Sequence, residues 1–201
     1  MNNLIKFTFD IFGHVIPGII ILVAISLLTI SFDPNTNYDI VSEIMSNLEG
    51  TGKGAFIIIL AYIVGFAISP FGKYLYKKIG PKLWPNIYIE NNIDMPISDK
   101  FILIREYSPA NFEYVERWNM YSTLSHNLAF GCLIFFVVSI IQVFIDLNDY
   151  KLYWILVTVI STILFFIFIK SAHVYNQWAG RDLNSAISAL KLKEKAIDGL
   201  P

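Results

Sequence analysis

The chain has 201 residues, of which 55% are hydrophobic, 15% aromatic and only 15% charged. Soluble domains carry roughly 25% charged residues, so this balance points to a polytopic membrane protein of one domain rather than a soluble core. A net charge of −1 excludes the basic footprint of a nucleic-acid binder, and a single cysteine, Cys132, excludes both an intrachain disulfide and a thiolate metal cluster.

Four runs lack any Asp, Glu, Lys or Arg: residues 11–32, 54–72, 127–145 and 152–169. Each is about 18–22 residues long, enough to cross a hydrocarbon core of about 30 Å at 1.5 Å per residue. The expected fold class is an all-α membrane protein with four transmembrane helices, helical cytoplasmic extensions and a small central cytoplasmic segment. Its parts are an N-terminal transmembrane hairpin over 1–72 with an outer loop at 33–53, a cytoplasmic segment over 73–126, a second hairpin over 127–169 and a cytoplasmic helical tail over 170–201.

The first run exceeds the roughly 7–15 apolar residues of a signal-peptide core, and no small-residue cleavage site follows it, so it reads as a retained helix. It opens with "DIFGHVIPGIII". At 100° per residue, Lys6, Asp10, Gly13, His14 and Pro17 share a sector about 100° wide, and such a stripe should face protein or water. Pro17 cannot donate to the carbonyl of Gly13, which leaves an acceptor without its donor and predicts a kink. Asp10 and His14 are candidate switch residues; Gly13, Pro17 and Gly18 are candidate packing positions.

In the acidic loop that follows, "GTGKG" lacks the spacing of a phosphate loop and reads as a flexible turn. The second run places Ala61, Gly65 and Ser69 four residues apart, a pattern that lets helix backbones approach closely within the chain or between subunits. Pro70 predicts that this helix bends or ends near the inner surface.

Between the second and third runs, Pro81, Pro85 and Pro96 argue against continuous helix over 80–97, and "NIYIENNI" alternates weakly, as a short extended piece would. "SDKFILIREY" reads as a short amphipathic helix. A second helix begins with Ser108 as N-cap and Pro109 at its first position, gains Glu113 and Arg117 at a favourable spacing of four, and meets no breaker before Gly131. It should therefore run straight into the third span. Gln142, near the outer end of that span, wants a partner, whereas Cys132 reads as a small packed residue. After the fourth run the good helix formers of "SAISALKLKEKAI" predict an inward extension, so that two long helices form a cytoplasmic stalk.

Lys and Arg concentrate between 73 and 126 and after 169, while the two other loops carry one lysine each. The positive-inside rule then places both termini and the central segment in the cytoplasm. Tyr153 and Trp154 at one end of the fourth run, and Tyr175 and Trp178 past the other, suit the two interfaces. Trp84, Arg105, Trp118 and Trp178 are candidate docking residues for a cytosolic partner.

No catalytic motif is present, and neither cofactor nor metal is expected. His14, His126 and His173 fall near one predicted depth and are candidate switch residues, although histidine is equally at home at an interface. No carboxylate lies mid-span, which argues against proton-coupled transport.

Three features together are familiar: "D-x-x-G-x-x-x-P-G" on Asp10, Gly13, Pro17 and Gly18; "AYIVGFAIS" in the second run; and an "R-E-x-x-P…ERW" helix leading into the third. In this outline the chain resembles small four-helix membrane proteins of bacterial antiphage defence systems, such as the Kiwa-type membrane subunit and transmembrane effectors of cyclic-nucleotide systems. The resemblance implies a homo-oligomer in the inner-membrane bilayer, not an enzyme, that perturbs or permeabilises the membrane on a cytoplasmic signal. The alternative is a membrane anchor or scaffold that recruits a cytosolic effector protein.

Overall fold

The computed structural model describes residues 3–32, 50–85, 93–145 and 151–194, with the side chains of 3–8, 10 and 29–32 excepted. Residues 33–49 of the loop expected at 33–53, most of "NIYIENNI", the Asp10 side chain and the tail beyond 194 lie outside the described residues. All regular structure among those described is helical, in five helices: α1 (Asn3–Phe32), α2 (Gly50–Leu83), α3 (Ile97–Tyr107), α4 (Pro109–Ile145) and α5 (Lys151–Ala189). Four of them, all but α3, are long and apolar enough to cross a membrane. Helix is what hydrocarbon demands, because every backbone N–H and C=O must find its partner within the segment.

α4 starts at Pro109 directly after Ser108, and it continues unbroken through the apolar run. Its 37 residues and the 39 of α5 correspond to lengths of about 55–58 Å at 1.5 Å per residue, nearly twice a hydrocarbon core. The excess builds a headpiece at the end of the molecule that carries α3. Its core holds Leu103 and Ile104 of α3, Val115 of α4, Leu183 and Ile187 of α5, and Leu192.

α2 does not end at Pro70; it continues through Pro70 and Pro81 and stops at Leu83, inside the stretch 80–97 where the prolines argue against continuous helix, and Trp84 N–H still bonds the Gly80 carbonyl at 2.8 Å. Each proline removes one intrahelical bond, and close helix contacts at Gly65, Gly72 and Gly80, described below, flank both. At the other end, the helix over "SAISALKLKEKAI" is interrupted by a turn at Leu190 and Lys191 and resumes over 192–194, the last described residues. Lys191 then adopts the left-handed region at φ 50°, which turns Leu192 under the headpiece to 1% exposure. Burial of Leu192 favours this turn between two helical stretches.

α4 and α5 pack along their length as an antiparallel pair. α1 lies against both α2 and α4, and α2 touches α4 and α5 as well. α1 also runs as one helix through Pro17. Ile59, Ile63 and Phe66 of α2 and Leu152, Leu156 and Ile163 of α5 face outward. In a bilayer that exposure carries no penalty, since lipid tails are as apolar as leucine.

Candidate functional site

In lipid, helices associate through close packing and hydrogen bonds rather than hydrophobic exclusion. α2 shows the first device. Its buried face reads Ala61, Gly65, Ile68, Gly72, Tyr76 and Gly80, a repeat of three and four. A methyl group at Gly65 would overlap the carbonyl of His14, and one at Gly18 would overlap the carbonyl of Ala61. At Gly72 it would come within 2.5 Å of the His126 carbonyl, and at Gly80 within 2.9 Å of the His173 Cβ. Each glycine of this face therefore receives one histidine residue, from α1, α4 and α5 in turn. The Ala61–Gly65 part of the small-residue pattern is used inside the chain.

The same ladder separates the histidines. Gly65 and Gly80 are 15 residues apart on α2, or about 22 Å of axial rise, so the three residues do not converge at one depth. The His14 ring lies between Tyr62 and Phe66 of α2, with centroids 5.5 and 5.6 Å away. The His126 ring stacks on Tyr76 at 5.3 Å, and its Nε2 lies 3.4 Å from Ser69 Oγ. His173 Nε2 pairs with Gln177 Nε2 at 2.7 Å. Among the described residues, no three His, Cys, Asp or Glu side chains gather as a metal site.

Hydrogen bonds are the second device. Asn127, fully buried at the start of the charge-free run of α4, donates from Nδ2 to the Gly13 carbonyl at 2.9 Å. This is the acceptor that Pro17 deprives of its intrahelical donor. Gln142, within the last turn of α4, donates from Nε2 to the Leu27 carbonyl at 3.1 Å, which answers its need for a partner. Between α4 and α5, Ser122 Oγ donates to the Ala172 carbonyl at 3.0 Å, and Thr158 Oγ1 bonds Ser139 Oγ at 2.9 Å.

Beside Gly13 the helices part. A cavity of about 430 Å³ is walled by Phe9, Gly13 and His14 of α1, Phe101 of α3, and Phe112, Glu116, Asn119, Met120 and Thr123 of α4. Gly13 meets α4 through its carbonyl, while a methyl group on its Cα would meet nothing within 4 Å in this chain. Phe101 and Asn119 also border a second cavity of about 210 Å³, lined further by Lys100 of α3 and by Asn176, Gly180 and Asn184 of α5. Lys100 is a charged side chain with 4% exposure, and its Nζ donates to Asn184 Oδ1 at 2.9 Å.

The docking candidates fall in different settings. Trp118 stacks on Tyr175, meets Trp178 edge-on at 4.8 Å, and donates from Nε1 to Asp182 Oδ2 at 2.8 Å. Trp118 and Trp178 therefore join α4 to α5. Trp84 packs partly buried against the Tyr76–Ile169 cluster, and Arg105 is exposed. Gly18 is buried in the α1–α2 contact, Pro17 is buried with its carbonyl towards Gly131 of α4, and Cys132 is buried in α4.

Sequence reasoning passed over Asn127, Lys100 and Asn184. Asn127 carried a signal, being a lone amide at the head of a charge-free run. Lys100 carried none, because a lysine on a short amphipathic helix ordinarily faces water. Comparison with protein-family models, with curated proteins and with solved structures finds no match to this chain.

Proposed function

We propose that this chain is a non-enzymatic, oligomeric inner-membrane protein, with headpiece and termini in the cytoplasm, that perturbs the membrane when a cytoplasmic signal reaches the headpiece. The observation that carries this reading is the larger cavity. One wall is α1 at Phe9, Gly13 and His14, and the opposite wall is the headpiece at Phe101, Phe112 and Glu116. Whatever fills or closes that space bears directly on α1, within a turn of its Pro17 break. The apolar faces left open on α2 and α5 are where copies would meet. The role in antiphage defence follows the outline resemblance and adds phage infection as a trigger. The test is expression in bacteria with a potential-sensitive dye under phage challenge. Depolarisation confined to challenged, expressing cells is expected. Unchanged potential under every trigger would rule the membrane effector out.

A second reading, a membrane anchor that recruits a cytosolic protein, draws on Ile97, Ile102, Tyr107 and Tyr114, which are exposed on the headpiece. Stoichiometric capture of one partner without depolarisation would favour it; no stable partner would count against it.

A further inference from the structure

Lys100 is the one lysine among the described residues that is buried. Its only partner among them is the neutral amide of Asn184. A buried ammonium without a counter-charge is unfavourable and ordinarily paired. The cavity beside it is rich in donors. Asn184 Oδ1 is taken by Lys100, and Asn176 Oδ1 accepts from the Tyr76 hydroxyl at 3.2 Å. Both amides are left with NH2 donors, and two N–H bonds of the Lys100 ammonium remain. Such a lining is complementary to a group made of acceptors and negative charge. Through Phe101 and Asn119 it adjoins the larger, aromatic cavity.

We propose that the Lys100 cavity binds the phosphate of a small organic phosphate, whose apolar or planar remainder extends past Phe101 into the neighbouring cavity. The phosphate takes its charge-assisted bonds from Lys100 Nζ and its neutral ones from the amides of Asn176 and Asn184. This deepens the reading above by naming the ligand class of the headpiece. Binding is measured on purified protein, so it stands or fails apart from membrane perturbation.

The test uses the full chain in a neutral detergent, titrated with phenyl phosphate, with short-chain phosphatidylglycerol and with short-chain phosphatidylcholine. Calorimetry and the unfolding midpoint are the readouts. Phenyl phosphate or phosphatidylglycerol should bind and raise the midpoint, and K100M should weaken that binding at least tenfold while K100R keeps part of it. Unliganded K100M should keep a midpoint near the parent's, because removing a buried ammonium with no counter-charge among the described residues offsets the donor that Asn184 Oδ1 loses. Binding of phenyl phosphate alone assigns a soluble ligand, and binding of phosphatidylglycerol alone a lipid headgroup. No binding by either, equal binding of phosphatidylcholine, or unchanged affinity in K100M overturns the site. Should K100M fail to fold, N176L decides: a loss of at least threefold supports the site, and unchanged affinity overturns it.

Discussion

Asn127 donates to the carbonyl of Gly13, the acceptor that Pro17 leaves unserved four residues further along α1. A helix broken by proline in one span is repaired by an amide from another. The pair is thus a specific tie between α1 and α4, and it lies at the wall of the larger cavity. Removing the amide leaves a buried carbonyl without its donor, at a cost of about 1–3 kcal/mol. Asn127→Ala should destabilise by that amount, whereas in a Pro17→Ala background, where the helix supplies its own N–H, the same change should cost distinctly less. Thermal unfolding can be followed by a thiol-reactive dye, since the single cysteine is buried. An additive double-mutant cycle would dismiss the coupling.

Gly18 and Gly65 face backbone atoms across the α1–α2 contact, and backbone cannot swing away as a side chain can. Gly65→Ala and Gly18→Ala should each cost about 1–3 kcal/mol or more by overpacking. Gly13→Ala, which meets open space, should be neutral or slightly stabilising because alanine is the better helix former by roughly 1 kcal/mol. Unfolding midpoints of the three variants, compared side by side, check the order. Equal effects at all three would mean that these helices do not approach as described.

Lys191 holds a left-handed conformation just past the end of α5, the position glycine usually occupies. A non-glycine residue there carries strain of about 1 kcal/mol. Lys191→Gly should therefore stabilise the headpiece modestly, while Leu192→Ala, which empties a fully buried site, should cost about 2–5 kcal/mol. Resistance of the C-terminal tail to limited proteolysis would rise in the first variant and fall in the second. A tail equally sensitive in both would contradict the turn.

Trp118 links α4 to Asp182 of α5, and Asp182 is also bridged by Arg181 at 3.0 Å. Trp118→Phe keeps an aromatic ring among Tyr175 and Trp178 but loses the indole donor. Because Arg181 still serves the carboxylate, the loss should stay near the lower end, about 1–2 kcal/mol. Near-ultraviolet circular dichroism and the unfolding midpoint read the change. A variant as stable as the parent would reduce the bond to an incidental contact.

Much of the fold was legible in local chemistry. Charge-free runs of spanning length, the Ser108–Pro109 start of α4 and the unbroken path of α4 into its apolar run all follow from single stretches of chain. The course of α2 was not. Pro70 is read locally as a bend or an end, but the helix continues past it, with Gly72 and Gly80 packed closely on His126 and His173, which lie far off in sequence. The free carbonyl of Gly13 was foreseeable from Pro17 alone, whereas its donor was not, because nothing near Gly13 in sequence names Asn127.

By itself, then, the sequence determined that this is a helical chain built for hydrocarbon, and that Pro17 breaks a hydrogen bond in the first span. Composition and backbone chemistry act within a turn or two of helix and need no knowledge of neighbours. Only the tertiary structure decided that three histidines mount a glycine ladder instead of gathering, that Asn127 repairs α1, and that Lys100 faces a cavity. Those outcomes depend on which helices approach closely enough to touch, and close approach is a property of faces assembled from distant parts of the chain.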